Sequence, residues 1–122
     1  MSPPGLSQYA PSHVELISIQ TGERKRLTTS PVSRYYGDVD PAISPDGKTL
    51  AFVRWSARTA ADLFVQPLST PEATPRRLTL DKCLIQWIAW TPDSREIVFS
   101  SSRGGDQSLW RITLALGLDC AG

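Results

Sequence analysis

The chain has 122 residues, 40% of them hydrophobic, and a formal net charge of +1. That is enough apolar material for the core of one domain or part of one, and too little charge for long-range attraction to nucleic acid or an anionic membrane. No apolar run reaches the roughly 18 residues a membrane-spanning helix needs, and the start of the chain lacks the basic-then-apolar pattern of a signal peptide.

In chain order, residues 1–12, with Pro3, Pro4, Gly5 and Pro11, read as a flexible lead-in. Residues 13–19 read as a strand, Thr21-Gly22 as a turn and residues 24–28 as a second strand. A loop over residues 29–37 carries Tyr35 and Tyr36, and residues 38–44 form a short strand. Ser44-Pro45-Asp46-Gly47 then fits a type I turn with a glycine bulge. Proline presets φ at the second position, Asp suits the third, and Gly takes the fourth, where φ is positive. Thr49-Leu50-Ala51-Phe52-Val53 leads out of that hairpin as a strand. Residues 55–61 read as a loop beginning at Trp55. Residues 62–68 are nearly continuous in apolar character, which suits a strand buried on both faces. A turn at 69–75 and a strand at 76–80 follow.

The pattern then repeats. Thr91-Pro92-Asp93-Ser94 copies the turn: Pro45 and Pro92, Asp46 and Asp93, and Phe52 and Phe99 each lie 47 residues apart. Residues 84–90 and 108–114 supply the flanking strands, with a loop at 101–107 that contains Arg103. The first strands match too, since residues 13–19 align with 62–68 and Leu27-Thr28 with Leu78-Thr79. After residue 114 the expected Arg-x-Leu-Thr strand is missing, and residues 115–122 stand in its place. Ser94 occupies the position of Gly47, so a positive φ there would cost roughly 1 kcal/mol and Ser94→Gly is expected to stabilise the fold.

Four antiparallel strands every 47 residues or so are the mark of β-propeller blades. The expected fold is all-β, an incomplete propeller of about two to three blades. Residues 13–28 would end one blade, 38–80 make a full one, and 84–114 an incomplete one, within a partial propeller spanning 13–122. Each blade packs its faces on its neighbours, so two outer faces would leave several hundred Å² of apolar surface in water. Membership of a longer chain, or self-association that completes a ring, is therefore expected.

Ile43-Ser44-Pro45-Asp46-Gly47-Lys48-Thr49-Leu50-Ala51-Phe52-Val53 closely resembles the WD-like (PD40) repeat of TolB. The same repeat occurs in propellers of the prolyl oligopeptidase family and in sensor regions of bacterial winged-helix regulators and membrane kinases. The stretch from Trp90 through Gly105 looks most like the regulator type. The likeness covers residues 13–114. It implies a propeller used as a docking or gating platform, bacterial, and periplasmic if TolB-like or a sensor region.

The chemistry-bearing residues point away from catalysis. His13 is the single histidine and stands at a strand start, and no G-x-S-x-G elbow occurs. Arg103-Gly104-Gly105 lacks the strand–loop–helix setting of a phosphate loop and reads as a hairpin loop. Asp38, Asp40, Asp46 and Asp93 suit turn capping better than calcium, which needs six or more converging oxygens. Cys83 and Cys120 make no metal site by themselves and are expected as two thiols. Arg24-Lys25-Arg26 and Arg76-Arg77 lie on outermost strands, where basic residues block edge-to-edge pairing. No catalytic residue, cofactor or metal is expected. Trp90 and Trp110 read as core. Tyr35, Tyr36, Trp55 and Arg103 form the candidate contact surface, because aromatics and Arg dominate interface hot spots. The expected partner is a protein or small ligand at the propeller face, with nucleic acid excluded. Two readings stand: a non-catalytic interaction or sensing scaffold, or the gating propeller of a serine peptidase whose catalytic domain lies elsewhere.

Overall fold

The computed structural model describes residues 12–30, 37–57, 59–80 and 83–114. Tyr35, Tyr36 and Cys120 lie outside the described residues. The described residues contain no helix and fall into three antiparallel sheets. The first pairs β1 (Glu15–Ile17) with β2 (Arg24–Arg26). The second orders β3 (Asp38–Ile43), β4 (Thr49–Ala57), β5 (Ala60–Pro67) and β6 (Arg76–Arg77) side by side. The third contains β7 (Ile85–Trp90), β8 (Glu96–Ser101) and β9 (Ser108–Thr113). These are the expected blades of a partial propeller.

Period-two alternation explains how the blades stack. On β4, Leu50 and Phe52 turn toward the first sheet and join Val14 and Leu27 there. Their neighbours Ala51 and Val53 turn the other way, into a core shared with Ile85, Ile97, Phe99 and Ile112 of the third sheet. β5 does the same, with Phe64 on one face and Leu63 and Val65 on the other. The middle sheet is thus covered on both sides, as its continuous apolar strand predicted. Phe52 and Phe99 are fully buried, each removing a side chain worth about 1.5–3 kcal/mol of burial from water. Among the described residues the end sheets are covered on one side only, and Leu16, Ile17, Ile19 and Leu109 stand exposed on them.

The sheets approach most closely along their first strands, β3 and β7. Those strands are therefore innermost, and the fourth strand is the outer rim. The fourth strand is stitched in by a repeated threonine. The Thr79 hydroxyl accepts the Leu63 N–H at 3.0 Å and donates to Asp62 at 2.8 Å. In the first sheet the Thr28 hydroxyl accepts the Val14 N–H at 2.9 Å. Arg77 is more than an edge guard, since its guanidinium donates to the Asp62 carboxylate at 2.6 Å.

One sequence expectation needs correction here. Residues 55–57 and 60–61 lie in strands, not in the expected loop. β4 runs to Ala57 and β5 starts at Ala60, because Trp55 pairs with Ala61 and Arg54 with Asp62. The hairpin therefore extends and places Trp55 inside a strand.

Candidate contact site

The two repeat turns are built alike. The Ser44 hydroxyl donates to Asp46 at 2.6 Å, and the same carboxylate oxygen accepts the Lys48 N–H at 3.0 Å. In the copy, Thr91 donates to Asp93 at 2.6 Å and the Arg95 N–H follows at 3.0 Å. Each hydroxyl closes the turn by accepting a backbone N–H, that of Thr49 or Glu96. The hydroxyl first, and the backbone N–H second, hold both Asp carboxyls below the ordinary carboxylate range. Gly47 has φ +76° and Ser94 φ +62°, the left-handed geometry expected at both. Pro45, Asp46, Gly47, Pro92, Asp93 and Ser94 are therefore architecture.

The inner strands carry a second repeated irregularity that the sequence reading missed. The register slips by one residue between Val39 and Ala42 on β3, and again between Gln86 and Ile88 on β7. At each bulge sits a non-glycine residue with positive φ: Asp40 at +53° and Trp87 at +56°. The two are 47 residues apart, the repeat distance. Left-handed backbone costs an ordinary L-residue roughly 1–2 kcal/mol, and Asp40 also precedes Pro41, which disfavours helical geometry before it. Pro41 fits β3 because the strand is both an edge and bulged there. Bulges re-aim side chains, and held strain clusters where a site is being shaped.

Asp40 and Trp87 meet in one recess of about 280 Å³, lined also by Trp55, Ile85 and Gln86. Trp87 is 76% exposed. The recess lies between adjacent blades at their inner strands. Its wall is fixed on both sides, since the Trp90 indole N–H donates to the Ala42 carbonyl at 2.9 Å across the blade boundary. Trp55 is tied in through its own N–H to the Gly37 carbonyl at 2.9 Å. The period offset was the signal in the sequence: aligning the repeats puts an exposed tryptophan on an aspartate–proline position, a mismatch no core role explains.

Trp55 is thus the predicted contact residue that the structure places in a recess. Arg103 is not brought to it: its guanidinium lies 5.1 Å from the centre of the Trp110 ring, over a side chain that packs on the core. Trp90 and Trp110 are both packed against that core, as expected. His13 is half-buried and bonded to Glu15 at 2.7 Å, and this bond is the main cause of a lowered Glu15 pKa. Among the described residues no three His, Cys, Asp or Glu side chains converge as metal ligands would.

Stacked antiparallel sheets of two to four strands, with this repeat turn between the first two strands of each of the two larger ones, are β-propeller blades of the TolB-like type. No protein-family model matches the chain. Its fold superposes on TolB from Acinetobacter baumannii with a TM-score of 0.68 and 28% identity, covering 86% of this chain and 25% of that one. The propeller domain of the trilobed protease from Pyrococcus furiosus shares the fold at a TM-score of 0.65 and 20% identity, over 90% of this chain and 33% of that one. In sequence the chain is 34% identical over 84 residues to dipeptidyl-peptidase 5 of Porphyromonas gingivalis, which is 66% of this chain and 12% of the relative. It is 30% identical over 118 residues to the uncharacterized peptidase YuxL of Bacillus subtilis, 84% of this chain and 18% of that protein. The chain therefore spans less than a fifth of the curated relatives it matches.

Proposed function

We propose that these blades are a non-catalytic docking element, and that the recess of Asp40, Trp55, Ile85, Gln86 and Trp87 is where a protein partner engages them. The observation that carries this reading is the convergence of two strained, repeat-equivalent residues on one partly open pocket. Rigid sheets hold that pocket in place, so a partner meets a preformed surface and little ordering cost. The exposed apolar flanks at Leu16, Ile17 and Ile19, and at Leu109, are where further blades pack in this reading.

The peptidase relatives favour a second reading, in which the same blades belong to the propeller that gates a serine peptidase. Site-specific photocrosslinking separates the two. A benzoylphenylalanine replaces Trp87 in one variant and the exposed Lys25 of β2 in another, both expressed in cells of the source. Docking predicts an adduct from position 87 with a separate polypeptide and none from position 25. An adduct with a covalently continuous hydrolase domain, or with short peptides only, supports the gating reading. Equal adducts from the two positions would sink the assignment of the recess.

A further inference from the structure

We propose that this recess seats a cationic side chain, the ammonium of a lysine or the guanidinium of an arginine on a partner peptide. The inference deepens the docking reading and rests on it. Its first ground is charge. Among the described residues that line the recess, Asp40 is the one ionisable group, and none of them is cationic. The other acids on these strands are already neutralised. Asp38 receives two bonds from Arg54, at 2.7 and 3.0 Å, and Asp62 is bonded to Arg77 and Thr79. Asp40 is exposed and has no such partner among the described residues.

The second ground is the company Asp40 keeps. Trp55 and Trp87 line the same recess, and indole is the aromatic ring with the strongest attraction for a cation on its face. One carboxylate with two indoles is a poor seat for an anion or a neutral polar group, and a good one for an alkylammonium or guanidinium. The third ground is size. At about 280 Å³ the recess falls just below the roughly 300–1,000 Å³ of small-molecule sites, which fits a single side chain better than a whole metabolite.

The test uses the full 122-residue chain and capped pentapeptides Gly-Gly-X-Gly-Gly, with X lysine, arginine, norleucine or glutamate. Binding is followed by the indole N–H resonances of the four tryptophans. The expected result is movement of the Trp87 resonance with the lysine or arginine peptide, binding at least about tenfold weaker for norleucine, and none for glutamate. Asp40→Asn should weaken the basic peptides by about tenfold while the core resonances of Trp90 and Trp110 stay in place; Asn keeps the shape and tolerates positive φ. Equal binding of lysine and norleucine peptides to the unmodified chain overturns the proposal without need of any variant. So does an Asp40→Asn chain that binds lysine undiminished. If position 87 crosslinks to a partner while the basic peptides fail, the seat's chemistry is wrong and the docking reading survives.

Discussion

The sheets at 38–79 and 85–114 are two copies of one blade that solve the same packing problem with different chemistry. Both keep the hydroxyl–Asp turn, the inner-strand bulge and a fully buried phenylalanine. They differ where the first two strands face each other. In the earlier copy Asp38 pairs with Arg54; in the later one Ile85 pairs with Ser101 at the same register. The Arg54 guanidinium also lies 5.3 Å and 4.9 Å from the ring centres of Phe52 and Phe64, so charge there is built into an aromatic stack. The shared features set the backbone's path. The exchanged ones fill the same space between strands, with an ion pair in one blade and an isoleucine–serine pair in the other.

The largest expected effect tests that equivalence. Asp38 is fully buried and Arg54 nearly so, with side-chain exposures of 0% and 10%. Asp38→Ile alone strands a buried cation and should cost about 3–5 kcal/mol. The double variant Asp38→Ile/Arg54→Ser transplants the sister blade's pair and should recover most of that loss. Chemical denaturation of the single and double variants measures both. A double variant as unstable as the single one would show that the pair does more than fill space.

A smaller effect compares the two threonine stitches. Thr79→Val removes the hydroxyl that bonds the Leu63 N–H and the Asp62 carboxylate, at a position with no exposure, and should cost about 1–3 kcal/mol. Thr28→Val removes only the bond to the Val14 N–H, because His13 stands where the later blade has Asp62 and bonds Glu15 instead. It should cost about 1 kcal/mol. Melting temperatures that reverse this order would mean that Asp62 gains nothing from its hydroxyl donor.

Acid should act on the feature the copies share. Asp46 and Asp93 both titrate below the ordinary carboxylate range in the folded turns. A depressed folded pKa contributes stability that is complete above the unfolded value of about 3.9 and is lost as pH falls through the folded one. Part of the melting-temperature decline below about pH 4 should therefore vanish in Asp46→Asn/Asp93→Asn. An unchanged acid limb in that variant would assign the decline to other carboxylates.

How much of this was legible in the sequence follows from what each feature depends on. The turns were readable because proline, aspartate and glycine act locally, each on its own φ and ψ. The blade order was readable because the strand period and the 47-residue offset survive in the apolar residues. The recess was not, because it depends on a bulge, and one extra residue in a strand leaves the alternation on either side looking regular. Trp55 stands out in the sequence as an aromatic, but nothing in Trp55 through Ala61 announces that the hairpin extends, so its place inside a strand is not readable there. The Asp38–Arg54 pair was hidden for a third reason: its partners are 16 residues apart and meet only through register.

The smallest expected effect is the most discriminating, and it revises a simple expectation. Ser94 does hold a positive φ, so glycine there relieves backbone strain of roughly 1 kcal/mol. Its hydroxyl, however, accepts the Asp46 N–H of the neighbouring blade's turn at 3.1 Å. That bond joins two turns 48 residues apart and is worth about 0.5–1.5 kcal/mol. The two terms offset, and Ser94→Gly should change stability by less than about 0.5 kcal/mol in place of the clear gain that φ alone predicts. The mirror substitution has no such offset. A Cβ on Gly47 meets nothing within 4 Å, so Gly47→Ala bears only the strain of φ +76° and should cost about 1 kcal/mol. Measured together, the pair isolates the bond between blades from the conformation of each turn. A Ser94→Gly variant that gains as much as Gly47→Ala loses would mean that the hydroxyl contributes nothing across the blade boundary.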